Sequence, residues 1–466
     1  MRYWIAVIFT CFLTGASAQH KPLLYNVDNL PQTLRGNPGA QIKFNSHIGI
    51  PFFSQISLSA GSSGVTLFDI FNDENDNVNL RVREAIRNMT FKDHFSVNEQ
   101  WEIASLGWRL DNRSYLSAGI YQELDAFSYF PKDLALLMNE GNSNYINQSF
   151  DFSQVAFTAE VMTVYHIGLN FRWDNDLTVG GRVKFYSGIF NVESTGNTGE
   201  FVTVETPEGP NVYRHFARNI DVLIQTSGFA SLKNEEGMSV QEATADLLGR
   251  SFFGGNLGIG VDLGFTYEVN EQFKVTGAVR DLGVMFQQQD VESYHYYGDY
   301  QTDGLEPLFP ELDENDEAIP YWDIFEDEVN ANLRDDTFNK PYRTWRPFKL
   351  VASAEYGFGR KLFPCNYRLV SKLRYSNLAG MQLSSVNRPQ GMVYAMTAYY
   401  DRKISEKQRV RLAYTLDDYS FKNIGLMYTS TFNKFNVYLA ANNLLALPNL
   451  AKANSFSMQL GMQLIF

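Results

Sequence analysis

The last twelve residues of the chain, Ser455 to Phe466, alternate in character. Phe456, Met458, Leu460, Met462, Leu464 and Phe466 are apolar, and Ser455, Ser457, Gln459, Gly461 and Gln463 stand between them, with Ile465 the one exception. A two-residue period puts the two sets on opposite faces of an extended strand. The same period recurs along the sequence. Leu257, Ile259, Val261, Leu263, Phe265 and Tyr267 alternate with Gly258, Gly260, Asp262, Gly264 and Thr266; Tyr165, Ile167, Leu169 and Phe171 alternate with His166, Gly168, Asn170 and Arg172. Val410, Leu412, Tyr414 and Leu416 alternate with Arg409, Arg411, Ala413 and Thr415. Short turns such as Asn270-Glu271 join consecutive segments into hairpins. About fourteen such segments can be traced, with strand ends soft by a few residues.

The amino-terminus sets the compartment. Arg2, an apolar run from Trp4 to Leu13 and the small residues Gly15-Ala16-Ser17-Ala18 form a secretory leader, residues 1–18, with cleavage expected before Gln19. The run is too short for a hydrocarbon core of about 30 Å, and no later stretch reaches the roughly 18 apolar residues of a spanning helix. Cys11 leaves with the leader, so Cys365 stands alone and makes no intramolecular disulfide. An exported, strand-rich chain of mean hydropathy −0.25 fits a barrel in which lipid-facing and lumen-facing residues average out. The terminal strand, ending on Phe466, resembles the closing strand of bacterial outer-membrane barrels, which the insertion machinery recognises. The expected fold is therefore all-β: a transmembrane antiparallel barrel, residues 41–466, of about fourteen strands, set in outer-membrane lipid. Short helices over Leu80 to Asn88, Pro131 to Asn139 and Met238 to Leu248 belong in loops or the lumen. Tyr399, Tyr400, Tyr419 and Tyr428, near strand ends, are candidates for aromatic girdles.

Charge follows the alternation. A charge facing lipid costs about 2–4 kcal/mol at the midplane. Arg172, Arg182, Lys184, Arg280, Arg368, Lys372, Arg374, Arg409 and Arg411 are therefore assigned to the lumen, with Asp262 and Glu160 among the inward acids. Such a lumen either passes anionic solutes or is braced by internal pairing; neutralising Arg409 and Arg411 separates the two. The acidity lies elsewhere. Residues 288–345 hold sixteen acids and three bases, a balance of −13 that equals the net charge of the whole chain. This segment reads as one long extracellular loop, solvated and self-repelling, with part of it packed through Tyr294, Tyr296, Tyr297 and Tyr300. Asp313, Glu314, Asp316 and Glu317 make an oxygen-rich cluster, but without the glycine and terminal glutamate of a calcium loop. No nucleic-acid partner is expected.

No arrangement for catalysis is legible. The histidines are scattered, there is no G-x-S-x-G elbow and no phosphate-binding glycine loop, and His166 is assigned to the interior. No enzyme activity, metal or cofactor is expected.

Several local sequences occur in an order that resembles a Bacteroidetes outer-membrane barrel family of unknown function. They are Leu30-Pro31-Gln32 with Arg35-Gly36-Asn37-Pro38, Ile48-Gly49-Ile50-Pro51, and Gly61-Ser62-Ser63-Gly64 leading to Asp69-Ile70-Phe71. Phe130-Pro131-Lys132-Asp133-Leu134, Gly141-Asn142 and Arg280-Asp281-Leu282-Gly283 follow. Gly39 departs from the pattern, where alanine is usual. The family is similar in layout to the long-chain fatty-acid transporter barrels and to the PorP/SprF and PorV barrels of type IX secretion. The resemblance implies a barrel of about fourteen strands and carries no activity. The layout suggests a channel or transporter for small or amphipathic solutes, with residues 19–40 as a plug or hatch. The alternative is a non-transporting scaffold of a secretion or surface complex, docking its partner on the acidic segment.

Overall fold

The computed structural model describes residues 22–71, 77–206, 212–231, 240–302, 333–361, 375–405 and 407–466. The expected leader, Arg368, Lys372, Arg374 and the Asp313–Glu317 cluster lie outside the described residues.

Antiparallel strands close into a 14-strand barrel. In chain order they are Ser46–Gly49 continued by Gln55–Ser62, His94–Arg109, Ser114–Tyr129, Phe157–Arg172, Leu177–Ser194, Asn256–Glu268 and Phe273–Gln287. Then come Tyr342–Trp345 continued by Lys349–Lys361, Tyr375–Arg388, Gly391–Lys403, Gln408–Leu416, Asn423–Phe432, Phe435–Asn442 and Ser455–Ile465. Each pairs with the next, and the last closes on the first: Ile48 stands opposite Leu464 and Ile56 opposite Leu460. Closure leaves no strand edge unpaired in lipid. The alternation sorts the faces as read. Leu257, Ile259, Val261 and Leu263 are exposed on the outside, while Asp262 and Thr266 of the same strand are buried within. In the closing strand Met458, Met462 and Phe466 face out and Gln459 and Gln463 face in.

Two strands are broken, each at a proline, which offers the ladder no N–H. In the first strand the break spans Ile50 to Ser54. Phe52, at φ 65°, and Phe53 are pushed outward, and the Trp101 indole donates to the Phe52 carbonyl at 2.7 Å. Ser54 turns inward against Gly49 and Gly461. In the eighth strand the break holds Arg346-Pro347-Phe348, and Arg346 is fully buried against Glu123 and Glu160. Each break thus redirects one polar residue into the lumen.

Short connections (110–113, 173–176, 269–272, 433–434) lie at the end where the chain enters its first strand. There the Phe466 carbonyl accepts from the Asn45 N–H at 2.7 Å. Helices Val78–Asn88, Lys132–Glu140 and Val240–Gly249 sit in connections at the opposite end, not in the lumen. Segment 288–345 is not a single loop: Val291–Thr302, Arg334–Phe338 and Tyr342–Trp345 are strands. Tyr342–Trp345 joins the barrel wall. The other two extend an outer sheet made with Ser149–Asp151, Thr198–Glu205 and Tyr213–Ser227, which hangs from the fifth barrel strand through Asn191 opposite Ser227. Its tyrosines fall on both faces of the sheet, which hid the two-residue period. Tyr400 and Tyr428 are exposed on the outside as a girdle requires, but Tyr399 and Tyr419 are buried inside, held by Glu355 and Ser96.

Candidate functional site

Residues 22–45 run inside the barrel, five residues beyond the boundary read at 40. Leu23, Leu24, Val27 and Leu30 pack against Tyr399, Ala413, Met427, Tyr438 and Ala440 on one side of the wall. Leu34, Ala40, Ile42 and Phe44 pack against Tyr115 on another. Part of the apolar surface that the wall turns inward is thus covered by this segment. Its polar atoms are met by wall side chains all round. Asn26 donates to Thr276 at 3.2 Å, Asn29 to Thr429 at 2.8 Å, and Gln32 to Gln463 and the Ser54 carbonyl, both at 2.8 Å. Asn170 donates to the carbonyls of Pro38 and Ala40 at 2.8 and 2.9 Å, which satisfies backbone that has no ladder of its own. Pro38-Gly39 slides between Gly180 and Gly264; a Cβ on either wall glycine would overlap the Pro38 carbonyl or the Asn37 side chain. These glycines mark a close approach of two backbones.

Charge completes the attachment. Asp28 lies 2.9 Å from Lys43, 3.0 Å from Arg409 and 3.6 Å from Lys403. Burial alone would push its carboxyl up; Lys403, Lys43 and Arg409 outweigh that and hold it well below the usual carboxylate range. Arg411 donates to the carbonyls of Leu23 and Tyr25 at 3.0 and 2.6 Å, is paired with Asp401 at 2.7 Å, and stacks over Tyr399 at 4.3 Å. Arg182 donates to the Leu34 carbonyl at 2.6 Å and pairs with Asp262 at 3.2 Å; Lys184 reaches Asp262 at 2.9 Å and Asp281 at 2.5 Å. Lys349 continues the chain of charges from Asp281, at 2.9 Å, to Glu123, at 3.6 Å.

Among the described residues, two cavities lie inside the barrel beside the segment. The upper one, about 1010 Å³ of empty space counting the part open to solvent, lies beyond the inner segment and is lined by Ser57, Asp125, Phe127, Arg388, Gln459 and their neighbours. The lower one, about 500 Å³ on the same measure, lies against Tyr25, Gln32 and Arg35 of the segment itself. Gln100 and Arg280 line both, so the two spaces meet at that pair.

Of the lumen residues read from the sequence, Arg182, Lys184, Asp262, Arg409 and Arg411 are buried inside, each paired or bonded as above. Arg280 donates to the Arg35 carbonyl at 3.2 Å. Arg172 does not line the lumen. It ends its strand and donates to the carbonyls of Asp174 and Asn175 at 3.0 Å, tying down its own turn. Sequence reading missed Asp28, Asn170, Gly180 and Gly264. The paired small residues Gly180-Gly181, and the alternating glycines that end at Gly264, were the available signal. No group of His, Cys, Asp and Glu among the described residues is placed to hold a metal ion.

In overall shape the chain is similar to the toluene transporter TbuX of Ralstonia pickettii, at 10% identity and a TM-score of 0.42, with 94% of each chain covered. It is also similar to a FadL homologue of Pseudomonas aeruginosa, at 8% identity and a TM-score of 0.40, with 93% of each covered. The toluene transporter TodX of Pseudomonas putida, at 9% identity and a TM-score of 0.37, covers 96% of this chain and 94% of its own. Nothing about solute or activity follows from likenesses of this size. No curated protein matches the chain in sequence. A family model matches residues 38–442, from the glycine-flanked Pro38 to the end of the thirteenth strand, and the chain belongs to that family, described as a family of unknown function (DUF5723).

Proposed function

We propose that the chain is an outer-membrane channel or transporter for small or amphipathic solutes, with residues 22–45 as its plug. The carrying observation is a lumen filled at the end of the short turns by a segment that is not part of the wall, with an open cavity beyond it. Both spaces meet at Gln100 and Arg280, so a solute in the upper cavity is separated from the lower one by side chains rather than by backbone. Displacing the segment would join them into a path. Polar contacts hold it alongside apolar packing, and the polar contacts can be exchanged for water as it moves. The inward bases serve this attachment and the bracing of the wall; with Arg182, Lys184, Arg409 and Arg411 each paired to a carboxylate, anion selectivity is the weaker reading.

Planar-bilayer recording tests this. Removing residues 22–40 should raise conductance severalfold. Asn29→Cys with Thr429→Cys, in a Cys365→Ser background, should hold the full-length channel shut when oxidised and release it on reduction. Unchanged conductance in both would overturn the channel.

The outer sheet favours a second reading, since a barrel needs no such sheet to be stable. It would dock a surface or secretion partner, and loss of that partner on deleting residues 291–338, with conductance intact, would support it.

A further inference from the structure

We propose that the turn Arg250–Gly254, seated on Tyr165 outside the barrel, is an anchor that enters the acyl–headgroup boundary of the outer leaflet and fixes the outer sheet to the membrane surface. This rests on the barrel lying in a bilayer and not on what passes through it. Thr163 and Ser187 point outward from the fourth and fifth barrel strands, in one row with Leu257 of the sixth. Leu257 is exposed, yet Thr163 and Ser187 are buried. The turn lies against this part of the wall, and the wall meets its backbone. The Ser187 hydroxyl donates to the Arg250 carbonyl at 2.5 Å and accepts from the Phe253 N–H at 3.0 Å. The Tyr165 hydroxyl donates to the Ser251 carbonyl at 2.8 Å. Irregular backbone can lie at the edge of hydrocarbon only when its polar groups are satisfied in such a way.

The other face of the turn is apolar. Phe252 is 64% exposed and Phe253 is 50% exposed. Phe253 holds a left-handed backbone, φ 64°, that a bulky residue rarely adopts, and its ring stacks on Tyr165 with centroids 4.3 Å apart. In water two adjacent exposed aromatics bury nothing; against acyl chains both are removed from water. The occupant follows from continuity. Tyr165 stands in one row with Phe185 and Ile259, both exposed on the outside of the wall, so lipid that covers those two reaches the turn as well. The depth agrees. From Phe171, beside the short turn, to Thr163 a tilted strand climbs about 20 Å, close to the top of an apolar band about 25 Å tall. Arg250 ties this seat to the outer sheet. It donates to the Gly228 carbonyl at 2.7 Å and the Ser231 hydroxyl at 2.9 Å, and pairs with Asp290 at 3.1 Å. Gly228 and Asp290 adjoin the ends of strands Tyr213–Ser227 and Val291–Thr302, where that sheet meets the barrel.

The test uses the full-length barrel in phosphatidylcholine vesicles, in a Cys365→Ser background, with a fluorophore attached at Phe252→Cys. A nitroxide on the acyl chain near the headgroup should quench the label more than one near the chain end. Iodide in the water should quench it less than it quenches the same label at Tyr296→Cys, which is exposed on the outer sheet. Tyr165→Ala removes the ring beneath the turn and should raise iodide access to the Phe252 label about two- to tenfold, while heat-modifiable migration stays that of the parent. Iodide access at Phe252 equal to that at Tyr296, without quenching by lipid, would overturn the anchor. Unaltered iodide access in Tyr165→Ala would overturn the seat. A disulfide-linked dimer of the unlabelled Phe252→Cys protein, with neither quencher reaching the label, would give this face to a second copy and overturn the lipid. A label at Ile167→Cys, lower on the fourth strand, reads insertion separately. Lipid quenching there with the Phe252 label in water keeps the barrel in the bilayer and removes the anchor; iodide access at both removes the membrane reading with it.

Discussion

Asp28 of the inner segment is bound to Arg409 of the eleventh barrel strand at 3.0 Å, across 381 residues of sequence. With Lys43 and Lys403 beside it, this carboxylate is one point where plug and wall share charge, Arg35 with Glu102 at 3.4 Å being another. Asp28→Asn should leave the barrel folded, because the wall keeps Asp401 to pair Arg409 and Arg411. It should free the plug, because removing one partner of a buried pair leaves the others uncompensated, at about 3–5 kcal/mol. The expected result is raised conductance with unaltered heat-modifiability. The pH dependence has a definite sign. The folded carboxyl lies well below its free value of 3.8, so its contribution is complete above about pH 4 and is lost as pH falls through the folded value. Closure should hold steady from neutral pH down to about 4 and weaken only below it.

The glycines beside Pro38 give a second test. Gly180→Ala places a Cβ against the Pro38 carbonyl and the Gly39 amide, both backbone atoms that cannot rotate away. Overpacking of this kind costs about 1–3 kcal/mol and here falls on the seating of the plug. Gly181→Ala, one residue on and facing outward, meets the Leu263 side chain at 3.7 Å and the Asp262 carbonyl at 3.9 Å, both ordinary contacts. Protease cleavage of residues 22–45 in the inserted protein should rise for Gly180→Ala and stay at the parent's rate for Gly181→Ala. Equal cleavage of the two would disprove the close approach.

Asp417 lies beyond the eleventh strand, at the rim of the upper cavity. Burial pushes its carboxyl up to about 6, against the opposing bonds from the Ser420 N–H and the Asn423 amide. Its free value is 3.8, so the raised group costs nothing below about pH 4, where both states are protonated. The cost grows between pH 4 and 6 and is complete above, at about 3 kcal/mol as an upper bound. Asp417→Asn removes that cost but loses the Asn423 bond, worth about 1 kcal/mol. The variant should therefore melt higher than the parent at about pH 8, by the equivalent of about 2 kcal/mol. At about pH 4 the gain should vanish.

How much of this was legible before the structure depends on the period. Where one face meets lipid and the other the lumen, as from Leu257 to Tyr267, the alternation named the strand and both its faces, and the closing strand from Ser455 showed which side each residue would take. The reading failed where that contrast disappears. Tyr294, Tyr296 and Tyr297 stand above the membrane, where neither face is forced to be apolar, so a strand passed for loop. Tyr399 and Tyr419 look like girdle residues by position, yet they face a lumen that holds a segment to pack against. Arg182, Lys184, Arg409 and Arg411 lie inside the barrel, and Asp262, read as an inward acid, pairs with the first two; Asp28 and Asp281 were not legible, because they are distant in sequence and only closure brings them to their bases.

The break in the eighth strand yields the last prediction. Arg346 stands at the break beside Pro347, keeps its backbone N–H on the Gly283 carbonyl at 3.0 Å, is fully buried, and pairs with Glu123 of the third strand at 2.9 Å and with Glu160 of the fourth. It therefore ties the eighth strand across the lumen to two strands that it does not neighbour in the wall. Arg346→Met leaves two carboxylates without their guanidinium and should cost about 3–5 kcal/mol. Glu123→Gln alone should cost less, since Glu160 still holds the arginine and a glutamine oxygen still accepts from it. If the pair acts as a brace, Glu123→Gln and Arg346→Met together should be less damaging than the sum of the two, by about 1–3 kcal/mol in a double-mutant cycle. The cycle can be read as heat-modifiability midpoints of the inserted barrel. Additive effects would show that the ion pair fills space without tying the strands together.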